Sequence, residues 1–191
     1  MDDFAEKNVR EEAAGALASF LHCRTADSKV TGKRQMEMHL PEGVSQEELA
    51  ALLADMGTEE APAALEKMAA VQGKKDLYYY DASIMTKHYA EIDALLEDKD
   101  ILQTIATVTR SDSKLYPRPT QFSKLMDVPF RFSKDEILGA AARMKSESGY
   151  EDIDVVTASN GKAGFFSSQS LSHRYAQSLI EAIEVEANEN P

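Results

Sequence analysis

A few residues in this chain have types and spacings that could support catalysis, but each set lacks the groups that would complete a site. Ser83 and Lys87 are four residues apart, so on a helix they would share a face as in a serine–lysine dyad. This spacing is common by chance, and no oxyanion-forming motif accompanies it. His22 and Cys23 are adjacent, which would separate them by about 100° around a helix. We therefore predict no catalytic residues, no metal site and no cofactor, and a protein that is not an enzyme.

The glycine-containing segment 160–164 has a simpler explanation than phosphate binding. It lacks the Gly-x4-Gly-Lys-Ser/Thr spacing and the following helix of a phosphate loop, and a turn accounts for its glycines. Cys23 is the single cysteine, so this chain alone cannot hold a disulfide or an iron–sulfur cluster. We expect Cys23 to be a small buried side chain.

The charge of the chain argues against nucleic acid and anionic membranes as partners. Its 191 residues carry a formal net charge of −12, which repels both. Apolar runs fall short of the roughly 18 residues that a membrane span needs, and the acidic N-terminus is unlike a secretory signal, so a cytoplasmic protein is expected. The sign reverses within 111–134, where five basic residues accompany only Asp112 and Asp127.

A β-hairpin is the clearest element of the second half. Asn160-Gly161 lies between the strand-like runs 155–159 and 162–166, and this dipeptide is typical of a type I′ turn, in which both central residues have positive φ. Helices are predicted to begin at Asp100, Thr120 and Ser133 before the hairpin, and at Ser170 after it. Three helices followed by a hairpin indicate a winged helix.

The hydrophobic periodicity of these helices predicts their buried faces. The side chains expected to point inward from the second and third of them are Phe122, Leu125, Met126, Ile137, Leu138, Ala141 and Met144. Most methionines of the chain are likewise expected in the core. The three tyrosines at 78–80 could form an aromatic contact surface, but alternation places Tyr79 on the face opposite the other two, so core packing of at least one is expected.

The first half is predicted to be a small α+β unit. Residues 35–40 alternate apolar and polar side chains, which predicts a half-buried strand, and 77–80 has the β propensity to pair with it. Ser45 opens a helix with a capping box, and 61–71 is a further predicted helix. No internal repeat is visible. We expect an α+β protein with an N-terminal α+β unit at 1–80 and a winged-helix domain with a C-terminal helix at 81–191.

A winged helix can contact either DNA or another protein, and the charges favour protein. The helix that would enter a DNA groove begins Lys134-Asp135-Glu136, and its acidic residues would face phosphate. The wing carries a single lysine, Lys162, whereas binding through counterion release needs several phosphate contacts. A DNA-binding transcriptional regulator remains the alternative. A continuous positive face over 133–148 and the wing would favour it.

Two segments resemble a known family. The runs 114–120 (KLYPRPT) and 155–161 (VVTASNG), the latter followed by Phe165-Phe166-Ser167-Ser168, are similar to the YdhW-type oxidoreductase system proteins, over roughly residues 80–185. The family is encoded beside ferredoxin-type iron–sulfur proteins and a tungsten or molybdenum aldehyde:ferredoxin-type oxidoreductase. The resemblance implies an accessory role in an anaerobic redox system, and it offers no catalytic residues to transfer.

The preferred hypothesis is therefore a non-catalytic protein that binds a protein partner, such as an oxidoreductase or iron–sulfur subunit. The binding surface is predicted to join the proline-rich link at 116–119, the start of the Ser133 helix and the wing, because a proline-rich link loses little entropy on binding and basic residues suit an acidic partner. The predicted partner-binding residues are Tyr116, Arg118, Lys124, Arg131, Lys134, Arg143 and Lys162. An enzyme with a pocket around residues 80–88 is the third hypothesis. The sequence leaves the oligomeric state open.

Overall fold

The computed structural model describes residues 2–186, with side chains from residue 7 onward. It is an α+β structure, as predicted, with two three-stranded antiparallel sheets. Contacts divide the chain into two units that meet in sequence between Asp98 and Lys99. This division differs from the expected boundary near Asp81, because a helix after that residue packs into the core of the first unit.

Unit 1 places one long helix and a mixed set of short elements around the sheet β1-β3-β2. Its elements are α1 (Asp2–Ala26), β1 (Thr31–Gly32), α2 (Lys33–Met38), α3 (Gln46–Asp55), β2 (Met68–Gln72), β3 (Leu77–Asp81) and α4 (Lys87–Glu97). Thr31 pairs with Tyr79, and Met68 pairs with Asp81. Helix α4 buries Ala90 and Ala94 in a cluster with residues of β2 and β3, which is why it belongs to this unit.

Two predictions for unit 1, one of a strand and one of a helix, were wrong. The alternating segment 35–40 lies largely in helix α2, which buries Met36 and leaves Met38 and Leu40 exposed. The predicted helix at 61–71 is a 3-10 turn at Ala63–Leu65 followed by strand β2. Strand β3 therefore pairs with β1 and β2. Short apolar patterns fit a helical turn as well as a strand, and long-range pairing decides between them. The three tyrosines of β3 are all buried, as expected for a central strand.

Unit 2 has the helices and the hairpin that the sequence predicts. Its elements are α5 (Ile101–Leu115), β4 (Thr120–Gln121), α6 (Phe122–Met126), α7 (Lys134–Met144), β5 (Ile153–Thr157), β6 (Ala163–Ser167) and α8 (His173–Glu181), and a single π turn follows α8 at Ala182–Glu186. The sheet order is β4-β6-β5. Asp100 and Ser133 cap α5 and α7 as predicted, whereas Gln121 precedes α6 and Ser172 caps α8.

The hairpin turn differs from the predicted type I′ form. Ala158 and Lys162 close a three-residue loop, in which the Gly161 amide donates to the Ala158 carbonyl oxygen at 2.9 Å. Only Gly161, at φ 82°, has positive φ among the loop residues. Three-residue loops of this kind combine a type I turn with one left-handed residue, so a single glycine suffices.

The two units repeat one order of elements. Each runs helix, short strand, two helices, hairpin and helix, and in each sheet the third strand is central. The third helix of each begins with a capping box, at Ser45 and Glu48 in unit 1 and at Ser133 and Glu136 in unit 2. The repeat is thus structural, although the sequence shows none.

A buried acid near the end of each unit's last helical segment accepts a hydrogen bond from that unit's sheet. The Tyr78 hydroxyl donates to Asp98 at 2.7 Å, and Gln121 donates to Glu184. Tyr78 pairs across the sheet with Gly32, and Gln121 pairs with Gly164, so each pair combines one large side chain with one glycine.

No helix in the described part of the chain combines the length and the apolar character that crossing a membrane requires.

Candidate partner-binding groove

Unit 2 carries an open apolar groove of about 860 Å³ between helices α6 and α7 and the hairpin β5–β6. Its apolar lining is formed by Phe122, Met126, Leu138, Ala141 and Val155. Met126 and Leu138 are 46% and 48% exposed, so the prediction that both point into the core was wrong. Large apolar side chains grouped at an exposed site are typical of binding surfaces.

Helix α7 supplies one side of the groove because its two faces are distinct. Ile137, Ala140 and Met144 are buried in the core of the unit. The neighbouring positions 138, 141, 142 and 145 follow the i, i+3, i+4, i+7 spacing of a second helix face and line the groove. This spacing is visible in the sequence, but a stripe of one leucine, two alanines and a lysine does not distinguish a groove from a solvent face.

The opposite side of the groove is held by a buried polar network under the hairpin. The Arg110 Nε donates to Asp152 Oδ2 at 3.0 Å, and the Ser167 hydroxyl donates to the same oxygen at 2.7 Å. The Arg110 hydrogen bonds lower the pKa of Asp152 despite its burial, so the carboxylate is ionised. The Ser167 amide donates to the Ser113 hydroxyl on α5 at 3.1 Å. These hydrogen bonds therefore fix the sheet to α5. Beside the groove, the ring centroids of Phe122 and Phe165 lie 4.8 Å apart, with the ring planes tilted by 33°.

Three lysines and one acid complete the lining. Lys134, Lys145 and Lys162 contribute to it, and Lys162 Nζ lies 2.9 Å from Glu184 Oε2. Burial raises the pKa of Glu184, but hydrogen bonds from Lys162 and Gln121 outweigh burial and lower it. Lys134 and Lys145 form no ion pair with any residue that the structure describes. Two lysines without an ion pair among the described residues therefore line the groove, in a chain whose net charge is −12.

The structure places only two of the predicted partner-binding residues in this groove, Lys134 and Lys162. Lys124 Nζ lies 2.7 Å from Asp112 Oδ2, which is buried, and so this lysine ties α6 to α5. Arg143 lies 2.8 Å from Glu147 on the outer side of α7.

The other predicted contact residues lie around the proline-rich link and the α6–α7 connection. Tyr116 is 63% exposed, and the Arg118 guanidinium lies 5.6 Å from the centre of its ring. Arg131 is exposed, with φ 55°, between α6 and α7. None of these three residues is part of the groove lining.

The residues first considered for catalysis are engaged separately. The Ser83 hydroxyl donates to Asp81, and Lys87 Nζ lies 3.9 Å from Glu91. Asp81 also lies 2.7 Å from His22 Nδ1, and these bonds lower its pKa although its burial alone raises it. Cys23 is exposed, which contradicts the expectation that it is buried. Within the described residues, no group of three or more His, Cys, Asp or Glu side chains is arranged to hold a metal ion.

Comparison with known proteins places the chain in a family. It is 32% identical over 180 residues to "Uncharacterized protein YdhW" of Escherichia coli (strain K12), across 94% of this chain and 82% of that protein. The chain belongs to the YdhW family. The profile of the YdhW C-terminal domain matches residues 99–188, so this family domain begins where unit 2 begins. No solved structure matches the chain significantly.

Proposed function

We propose that unit 2 is a winged-helix domain, and that the protein is a non-catalytic accessory component of an anaerobic oxidoreductase system that works by binding a protein partner. The element order of unit 2 supports the fold proposal, since a short strand between the first two helices pairs with the second strand of the hairpin. The redox setting comes from the resemblance to YdhW-type proteins.

The exposed groove is the observation that carries the binding proposal. Met126 and Leu138 expose apolar surface to water. Lys134 and Lys145, which also line the groove, have no ion pair among the described residues. Exposed apolar surface with a polar rim is what protein interfaces present before the partner binds. A partner covers the apolar surface and supplies the missing negative charge.

The first turn of α7 weighs against the alternative of a DNA-binding regulator. A recognition helix directs its N-terminal residues at base edges and phosphates. Here that turn carries Asp135 and Glu136, and the Glu136 carboxylate accepts hydrogen bonds from the amide and hydroxyl of Ser133 at 2.8 Å. These bonds lower the pKa of Glu136, so its negative charge is fixed where phosphate would lie.

The test is an affinity purification of the tagged full chain from its source organism, grown without oxygen. The lysate is purified with and without nuclease treatment. We expect an oxidoreductase or iron–sulfur subunit that remains bound after nuclease treatment. The double variant Lys134→Glu, Lys145→Glu should lose this partner. Arg174→Glu is the control for a single charge reversal elsewhere, to be compared with Lys134→Glu and Lys145→Glu made singly, because Arg174 is exposed on α8 and is not part of the groove lining. Recovery of DNA together with proteins that nuclease releases would instead favour the regulator.

A further inference from the structure

We propose that the groove of unit 2 receives an acidic amphipathic helix of the partner, and that one aliphatic side chain of this helix packs against Ala141. The inference rests on the proposed function and makes it specific, since it names the site and the chemistry of the segment that enters it. It is argued from the internal repeat, from the spacing of the lysines and from the openness of the groove.

Unit 1 shows the same site with a larger side chain at one of its positions. Leu53 and Ala141 both lie eight residues after the serine of a capping box, so they occupy the same place in α3 and α7. Leu53 is 8% exposed and belongs to the core cluster of unit 1. The cavity beside Leu53, which Ala70 and Leu77 also line, is about 340 Å³, against about 860 Å³ in unit 2. At this helix position unit 1 has a buried leucine beside the smaller cavity, and unit 2 has an alanine beside the larger one.

The strand positions beside the two sites correspond as well. Ala70 pairs with Tyr79 in unit 1, and Val155 pairs with Phe165 in unit 2, so both residues stand opposite a central aromatic residue. The fold itself thus accommodates an aliphatic side chain at this point. In unit 2 a side chain of that size has to come from another molecule.

The lysines define the charge and the length of the occupant. Lys134 begins α7 and Lys145 follows its last residue, and the groove-lining positions 138, 141 and 142 lie between them. Eleven residues of helix span roughly 16 Å, or about three turns. A partner helix of three turns with aliphatic residues at i, i+3 or i+4, and i+7 matches the apolar stretch. Acidic residues toward its ends would meet the lysines.

The openness of the groove favours a protein segment over a small molecule. Small-ligand sites enclose most of the surface of their ligand. Here Leu138 and Met126 remain nearly half exposed at the groove. The groove itself is open to solvent along α7. Methionine also adapts its shape to a helix surface, which suits a protein contact.

Site-specific photocrosslinking of the full chain tests the inference in the cells used for the affinity purification. A benzophenone amino acid replaces Leu138 in the groove or, as a control, Leu115, which is 62% exposed at the end of α5 and outside the groove. We expect position 138 to crosslink to a segment of another protein that carries aliphatic residues at helical spacing and an excess of Asp and Glu. Position 115 should give no crosslink to that segment.

A second variant places in the groove the leucine that unit 1 carries at the corresponding position. Ala141→Leu should weaken binding of the crosslinked partner about tenfold or more, as measured by titration of the purified proteins, because its leucine competes with the incoming side chain. The control Ala50→Leu adds the same side chain at an exposed position of α3 and should bind as the wild type does. Circular dichroism establishes that both variants are folded.

The outcomes separate the two proposals. If a partner is retained but crosslinks only to position 115, or binds Ala141→Leu with unchanged affinity, the groove inference is overturned and the accessory function stands. A crosslink from position 138 to nucleic acid, to a lipid or to a second copy of this chain also overturns the inference. If the affinity purification recovers no protein partner at all, the proposed function fails, and the inference fails with it.

Discussion

Removing the Asp152 carboxylate is expected to loosen the sheet of unit 2 and leave unit 1 unchanged. Asp152 is 7% exposed and accepts hydrogen bonds from Arg110 and Ser167. In Asp152→Ala the Ser167 hydroxyl, in a residue that is 1% exposed, loses its acceptor, which costs about 1–3 kcal/mol.

Arg110 adds a smaller contribution to the cost of Asp152→Ala. Its side chain is 35% exposed, and it keeps a 2.7 Å hydrogen bond to the Gly149 carbonyl oxygen. Solvent screening therefore reduces the loss at Arg110 to about 1 kcal/mol. The total destabilisation of unit 2 is about 2–4 kcal/mol.

Hydrogen exchange measured by mass spectrometry reports this loss for each segment separately. Amides of β6 that exchange through opening of unit 2 should exchange roughly 30- to 1000-fold faster in the variant. Amides of β3 serve as the internal reference and should not change. The control Glu151→Ala removes a fully exposed neighbouring carboxylate and should leave β6 exchange as in the wild type. Equal exchange of β6 in Asp152→Ala and wild type would refute the reasoning.

The contribution of Asp152 to the stability of unit 2 should depend on pH. Because the folded state lowers the pKa of Asp152, its contribution to stability is complete above its unfolded pKa of about 3.9 and is lost as the pH falls below that value. The difference in unfolding free energy between the wild type and Asp152→Asn, measured by urea titration with circular dichroism, should therefore narrow below about pH 4. A constant difference down to pH 2 would contradict this assignment.

Two further predictions concern single contacts and can be measured by urea unfolding. Ser113→Ala removes the acceptor of the Ser167 amide and should destabilise unit 2 by about 1–3 kcal/mol, whereas an effect below about 0.5 kcal/mol would show that water replaces the hydroxyl. Gly139→Ala should stabilise α7 by about 0.5–1 kcal/mol, because open space surrounds the added methyl group. Gly161→Ala should destabilise unit 2 by about 1 kcal/mol, because Gly161 has a φ of 82°, which alanine adopts only with strain. Equal effects of the two alanines would contradict the helical and turn assignments.

The elements that the sequence predicts well are those with local signals. The capping boxes at Ser45 and Ser133 each use two residues three positions apart, and the hairpin at Asn160-Gly161 needs only its turn and flanking strands. These interactions form within a few residues, so the pattern locates each element correctly, although the hairpin turn has a three-residue loop and not the predicted type I′ form.

Other elements depend on contacts that no local pattern contains. Strands β1 and β4 have two residues each and exist only because they pair with a central strand. The segment 35–40 alternates like a strand, but the burial of Met36 and the pairing of β3 with its actual neighbours make it a helix.

The candidate site was predicted only in part, for a physical reason. Charge predicts Lys134 and Lys162, which both line the groove. Apolar residues at helical spacing usually lie in the core, so the sequence places Leu138 and Met126 there, whereas the structure exposes both at the groove. The internal repeat is not visible in the sequence, because corresponding positions such as Leu53 and Ala141 carry side chains of different size.

The alternation of glycine and large residue in the two sheets disfavours one exchange of strands between the two similar units. Adjacent domains of one fold can misassemble by swapping equivalent elements during folding. Tyr78 corresponds to Gly164, where even a Cβ atom would lie 3.0 Å from the Thr120 carbonyl oxygen. If β3 replaced β6 in the second sheet, the Tyr78 side chain would crowd this carbonyl oxygen and the side chains of Pro119 and Ile180. In the first sheet Tyr78 stands opposite Gly32, which leaves room for its ring, so β3 fits the sheet of its own unit better than it fits the sheet of unit 2.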